Sequence, residues 1–416
     1  MPERTDLDEL YRDLHRNPEL AFAEHRTAGI VADELRRLGY EVTEGVGGTG
    51  VVGSLANGEG PTVLLRADMD ALPVEERTGL SYASTATGVD ASGAEVSVMH
   101  ACGHDVHTTC LLGAARELAA DRESWTGTLL CVFQPAEEVG AGARAMLDDG
   151  LYDRFPRPSV VLGQHVAPLP AGLLALQPGP AFAASDSLRI TLHGHGAHAS
   201  RPHTSVDPVV LAAATILRLQ TIVAREVAPT DSAVVTVGAV HAGTVANAIP
   251  DRAELQVSVR TFTEEVRTRV LGAIERIVDA ESDAAGAPRR PEVEVQRSYP
   301  GVDNDPEAVE RTRPALEAVA GTVMAPGPLT ASEDVGLLAR AVDAPCVYWL
   351  LGGADPELFE GVASPTAVRA RIDELPSNHS PHFAPVIQPT LSVGVQALVA
   401  AAQVWLTAPS GTGEAD

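Results

Sequence analysis

The sequence predicts an α/β protein in two parts: a large domain with a mostly parallel mixed sheet flanked by helices, and a smaller inserted α+β domain of ferredoxin-like order. Three observations carry this. The chain has 416 residues, more than one ordinary core accommodates. From residue 41 to residue 166, short apolar strands alternate with helical patterns, the order of a parallel sheet with helical crossovers. Between residues 185 and 300 the order becomes βαββαβ, and the sheet-and-helix pattern then resumes. The expected domains are therefore 1–184 with 301–416, and 185–300.

Leu7–Arg16 and Ala23–Leu38 read as helices, with apolar positions such as Ile30, Leu35 and Leu38 at helical spacing and Gly39 as the stop. Strands are expected at Tyr40–Thr43, Val51–Leu55 and Thr62–Ala67. Gly48-Thr49-Gly50-Val51-Val52-Gly53 has the spelling of a dinucleotide loop, but that fingerprint needs a following helix. β-branched residues follow instead, so the glycines read as a hairpin, which disfavours an oxidoreductase. Leu64–Pro73 reads as a strand running into a loop with Asp68 and Asp70. A helix at His107–Ala120, a strand at Gly127–Phe133, a helix at Ala141–Leu151 and a strand at Val160–Gly163 follow. The inserted part has strands at Leu188–Leu192, Ala233–Val240, Ala253–Val259 and Glu292–Val295, and helices at Val206–Glu226 and Glu264–Ser282. Helices at Glu307–Val319, Val335–Val342 and Val386–Trp405, with a strand at Cys346–Leu351, complete the reading.

A formal net charge of −26 argues against a nucleic-acid partner, whose phosphates need a basic patch. No run reaches the roughly 18 unbroken apolar residues of a membrane helix. The N-terminus lacks the basic start and apolar run of a signal peptide. Cys102, Cys110, Cys131 and Cys346 are scattered and form no disulfide pattern. The expectation is a cytoplasmic protein with no membrane partner, ending in a disordered tail over residues 408–416.

The chemistry centres on Met99–Thr108, which places three histidines, Cys102 and Asp105 within a few residues. Buried thiolates, imidazoles and carboxylates need compensation, and a divalent cation compensates all three. Cys102 and His104 are two apart, so on an extended loop they point the same way; alone, the pair reads more readily as a structural cysteine beside a surface histidine. Glu137-Glu138 follows an apolar strand, where one carboxylate can ligate metal and its neighbour can act as a general base. A solvated turn is the plainer alternative. His165 is a further strand-end donor, and Ser377–Phe383 carries His379 and His382. The histidine-rich loop His193–His203 could be its own metal site or a substrate-facing loop. Arg260 could clamp a carboxylate, or be an ordinary surface arginine.

With these segments in view, the chain resembles the co-catalytic metallopeptidase family that includes aminoacylases and glutamate carboxypeptidase. It is most similar to the amidohydrolase branch with hippurate hydrolase, N-acyl-L-amino acid amidohydrolase and the auxin-conjugate hydrolases. The matching segments are LHRNPELAFAEHRTA (14–28), RADMDALP (66–73), MHACGHDVHT (99–108), QPAEE (134–138), HV (165–166), GHGAHASRPH (194–203), TVANAIPD (244–251), VRTF (259–262), SEDVG (332–336) and NHSPHF (378–383). The resemblance implies a catalytic domain and an inserted lid that mediates homodimerisation. It implies two divalent ions per subunit (zinc, manganese, nickel or cobalt) held by Cys102, His104, Glu138, His165 and His379, with Glu137 as general base. Asp70 falls where relatives use an aspartate to orient a histidine ligand, while Asp68 replaces a histidine of the pattern. His198 would stabilise the oxyanion, and Asn247 and Arg260 would contact the substrate. The implied reaction is hydrolysis of an N-acyl amino acid to a carboxylic acid and a free amino acid. A dipeptidase or carboxypeptidase using the same site is the alternative. A non-catalytic relative usually lacks a ligand or the base, and this chain retains all six.

Overall fold

The strand Thr62–Asp68 is the axis of the larger unit in the computed structural model, which describes residues 6–362 and 364–406. Its run Val63–Leu65 is wholly buried because the strand is flanked on both edges and both faces. Gly127–Gln134 and Val160–Pro170 pair with it in parallel. Among the described residues the sheet has eight strands, in the order Glu41–Val46, Gly50–Asn57, Gly127–Gln134, Thr62–Asp68, Val160–Pro170, Cys346–Ala354, Leu174–Ala175, Val323–Met324. The first three pair antiparallel and the next three extend the parallel set. The sheet is therefore mixed, with its parallel part at the centre, as expected. Gly50–Asn57 is indeed the return arm of a hairpin, so the glycine-rich loop opens no helix.

This unit takes the chain up to Gly179, Asp303–Gly327 and the chain from Asp334. The helices His104–Ala120 and Thr390–Leu406 lie against each other and against the sheet. Leu111, Ala114, Ala115, Leu398, Ala401 and Leu406 are buried in that layer. Each fully buried leucine contributes roughly 1.5–3 kcal/mol over an exposed one.

The second unit comprises Pro180–Val302 and Pro328–Glu333. Its four-stranded sheet runs Ala233–Ala242, Arg252–Thr261, Ala184–His193, Glu292–Tyr299, all neighbours antiparallel. The helices Pro208–Arg225 and Glu264–Ala284 cover it, which is the ferredoxin-like order. Ile190, Leu192, Leu255, Val259, Ile274 and Val278 alternate or recur onto its buried face.

Four expectations need correction. The helix expected from His107 begins at His104, so Cys102 and His104 do not share an extended loop. Gly103 makes the turn between them at φ 83°, and a Cβ there would meet Val166 Cγ1 at 2.3 Å. The helix expected at Ala141–Leu151 is two, Gly142–Asp148 and Leu151–Arg154, broken at left-handed Gly150. The strand expected to end at Gly163 runs to Pro170, because Cys346–Ala354 continues to pair with it. The helix Pro365–Glu374 was not anticipated; none of its described residues is buried, so no apolar stripe betrays it. The tail 408–416 lies outside the described residues.

Candidate metal centre

Parallel strands deliver their carboxyl ends to one edge of a sheet. Asp68 ends its strand, with Asp70 two residues on, and Glu137 and Glu138 follow the end of Gly127–Gln134. Arg66 pairs with Gly163, so His165, two residues further on, lies level with Asp68 although its own strand continues. The helix start supplies Cys102 and His104 to the same edge. His379 arrives on a turn at φ 70°, its backbone N–H donating to Ala101 O at 2.8 Å.

The donors meet. Cys102, His104 and His165 offer ligand atoms all within 4.8 Å of one another, and so do Cys102, Glu138 and His379. The two sets share the thiol. Cys102 Sγ lies 3.5 Å from His165 Nε2, and His379 Nε2 lies 3.3 Å from Glu138 Oε2. His104, Glu137 and Glu138 form a further set, joining the expected base to the cluster. All five expected ligands and Glu137 are thus gathered at one point of the larger unit.

The histidine-rich loop His193–His203 yields no group of three metal-capable donors among the described residues. His198, Asn247 and Arg260 belong to the second unit. His198 and Asn247 are neighbours there, Ala199 N donating to Asn247 O. Arg260 Nη1 donates to Thr330 O and Ser332 Oγ. His382 does not join the donors; its Nδ1 lies 2.8 Å from Arg77 O.

The electrostatics fit a cation. His104 Nε2 is buried without a hydrogen-bond partner, although carboxylate oxygens of Asp68 and Glu138 lie 3.6 and 3.7 Å away. Burial and the charges of Glu138, Glu137 and Asp68 push the Cys102 thiol far above its ordinary range. Burial disfavours charge on His104, but Asp68, Asp70 and Glu138 outweigh it and raise the imidazole to about 10. Cys102, His104 and Glu137 are buried, while His379 is exposed; together with Glu138 and His165 they are the donor set of a zinc-type site, and bound positive charge would favour the thiolate and relieve the carboxylate crowding.

The two aspartates separate by geometry. Asp70 Oδ1 lies 3.3 Å from His104 Nδ1, and its oxygens accept from Glu137 N and Glu138 N at 3.1 and 2.9 Å. It therefore orients one imidazole and the turn bearing both glutamates. Asp68 is held by Arg66 Nη1 at 2.6 Å and by His107 Nδ1, and keeps an oxygen 3.6 Å from His104 Nε2, so with His104 and His107 it forms a third side of the cluster. His107 Nε2 in turn accepts from Val166 N. The sequence reading passed over Asn378, whose Nδ2 donates to Cys102 O and Val166 O at 3.1 Å each, stitching three donor segments together. It also passed over Arg66, for which a lone arginine inside an apolar strand was the available signal.

A family model described as peptidase family M20/M25/M40 matches residues 64–376. Thermostable carboxypeptidase 2 of Saccharolobus solfataricus is 37% identical over 349 residues, 83% of this chain and 85% of that one. Hippurate hydrolase of Campylobacter jejuni is 39% identical over 362 residues, covering 84% and 90%. Among solved structures, a putative aminohydrolase from methicillin-resistant Staphylococcus aureus superposes with a TM-score of 0.83 at 30% identity, covering 96% of each chain. The YXEP protein of Bacillus subtilis, described as a dinuclear metal-binding peptidase, gives 0.76 at 30% identity, covering 96% and 97%.

Proposed function

The chain belongs to peptidase family M20/M25/M40 and is a hydrolase of that family, and on that premise we propose that it cleaves the amide bond of N-acyl amino acids with two divalent cations. The observation that carries the proposal is the pair of donor triads sharing Cys102. One triad would hold each cation, with Cys102 common to both. Bound there, two cations would polarise the scissile carbonyl and acidify a water. A thiolate among the ligands favours zinc over manganese by softness.

The protein's own groups do the rest. Glu137 is 5% exposed and its backbone is pinned by Asp70. Its carboxylate would accept the proton of the attacking water and return it to the leaving nitrogen. Ser200 N and Oγ lie 3.2 and 2.7 Å from His198 Nδ1, so Nε2 is the ring nitrogen left to donate to a developing oxyanion. Arg260 and Asn247 are the proposed contacts for the substrate's carboxylate and carbonyl.

Chelation is expected to abolish turnover, and added zinc or another divalent ion to restore it; full activity in excess chelator would refute the metal reading. A panel of N-acetyl, N-benzoyl and indole-acyl amino acids set against dipeptides fixes the substrate class. The similarity to a carboxypeptidase favours a second reading, peptide cleavage at the same site. Faster turnover of dipeptides than of every acylated amino acid would establish it.

We also propose a homodimer through the second unit. Ala233–Ala242 is an edge strand, and Val234 and Val240 on it are exposed. The helix Pro208–Arg225 exposes Val210 and Leu217, at 65% and 73%. Light scattering is expected to give a dimer for the wild type and a monomer for the double variant Val210→Glu, Leu217→Glu. A monomeric wild type would end the proposal.

A further inference from the structure

The segment 14–28 matches the family pattern, yet none of its residues enters the chemistry above. Glu24, in that segment, is wholly buried. It precedes the helix His25–Arg37 without capping it through its side chain. The carboxylate instead turns inward. Oε1 accepts from Phe22 N at 3.0 Å and from Ala136 N at 2.9 Å, and Oε2 accepts from Thr49 Oγ1.

Ala136 is the residue before the two glutamates and has φ 52°, a left-handed conformation that costs a non-glycine residue energy. Something must hold it there. Three consecutive backbone N–H groups, of Ala136, Glu137 and Glu138, all end on buried carboxylate oxygens: the first on Glu24, the other two on Asp70. Carboxylates accept such bonds more strongly than neutral oxygens. The direction of each glutamate side chain follows from this backbone, since adjacent residues leave a turn in different directions.

We propose that Glu24 is a positioning residue, one of two carboxylate clamps that hold the turn 136–138 so that Glu138 faces the metal donors and Glu137 the substrate. The proposal rests on the functional reading above. Burial, with the nearby charge of Asp70, raises the Glu24 carboxyl to about 7, so a neutral side chain of the same shape is compatible with the site. The glutamine of Glu24→Gln keeps an acceptor for Ala136 N and offers an amide to Thr49. Glu24→Ala removes both.

The test is calorimetric titration of zinc alone into the metal-stripped protein, with kcat and KM measured on the reloaded enzyme. Glu24→Ala is expected to lose about 10–100-fold in zinc affinity and to lose kcat more than KM, the usual cost of removing a group that orients ligands. Glu24→Gln is expected to stay within about threefold of wild type in both, well inside that range. A purely structural role would lower the melting temperature and leave affinity and kcat per bound metal unchanged. A folded Glu24→Ala with wild-type zinc affinity and kcat overturns the proposal. A wild type that binds no zinc, manganese, nickel or cobalt overturns the metal reading itself, and this proposal with it. Should Glu24→Ala fail to fold, Thr49→Val removes only the hydroxyl that fixes Oε2. It is expected to weaken zinc binding measurably, and unchanged binding there also overturns the proposal.

Discussion

Glu137→Gln is expected to lower kcat by about 10²–10⁴-fold, the usual contribution of a positioned proton acceptor, while the bound metal and KM stay near wild type. Glutamine has the shape of glutamate but accepts no proton at neutral pH. The backbone clamp is unaffected, because Asp70 holds Glu137 through its N–H and not through its side chain. Glu138→Gln should behave in the opposite way. Its carboxylate lies against His379 and His104, and it belongs to the second donor triad, so metal affinity falls first. Elemental analysis of the two purified variants beside steady-state kinetics separates base from ligand. A Glu137→Gln enzyme with near wild-type kcat would remove Glu137 as the base.

The gathering of donors was legible because parallel strands send their ends to one edge, and apolar runs with polar termini are visible in a sequence. Glu137 and Glu138 after Phe133-Gln134, and Asp68 and Asp70 after Leu64-Leu65, carry that signal. The helix start was not legible. His104 follows Gly103 with no capping serine, threonine, aspartate or asparagine, so a helix signal is missing and the histidine reads as loop. The sequence places His165 just past a strand ending at Gly163, yet pairing with Cys346–Ala354 keeps the strand extended to Pro170. That register is a tertiary fact, set by a partner about 180 residues away, which no local pattern encodes. Glu24 has the same character: in sequence it is one more glutamate at a helix start, and only the fold reveals what its carboxylate meets. The residues alone offer both His379 and His382 in that turn, and the resemblance chose His379 between them.

Arg66→Ala is expected to cost about 3–5 kcal/mol of stability in the larger unit, the cost of stranding a buried charge. Arg66 is 2% exposed and sits in the middle of the sheet. Nη1 donates to Asp68 and lies 3.4 Å from Tyr348 OH; Nε donates to Gln134 Oε1 at 2.9 Å and Nη2 to Asp334 Oδ1 at 3.0 Å. Asp334 also accepts from Gln134 Nε2 and from Ala143 N. One guanidinium therefore joins three strands and the two segments that carry Asp334 and Ala143. Its removal leaves two carboxylates buried with a shared cation gone. Arg66→Lys keeps the charge but cannot reproduce the planar fork, so an intermediate loss is expected. The pH dependence has a definite sign. Burial works against the Asp68 carboxylate, but the charges of His104, Arg66 and His107 outweigh it and hold the group well below its ordinary value. A depressed carboxyl contributes stability that is present above its unfolded value, about 3.9, and is lost as pH falls through the folded value. Removing Arg66 takes away part of that contribution, so the gap between wild type and Arg66→Ala should be full from pH 7 down to about pH 4 and narrow only as pH falls further, below about 3.9. Urea denaturation of the chelated proteins at pH 7 and at about pH 3 measures it. A gap that widens on acidification, or an Arg66→Ala protein as stable as wild type at pH 7, would mean that the guanidinium is not what compensates Asp68 and Asp334.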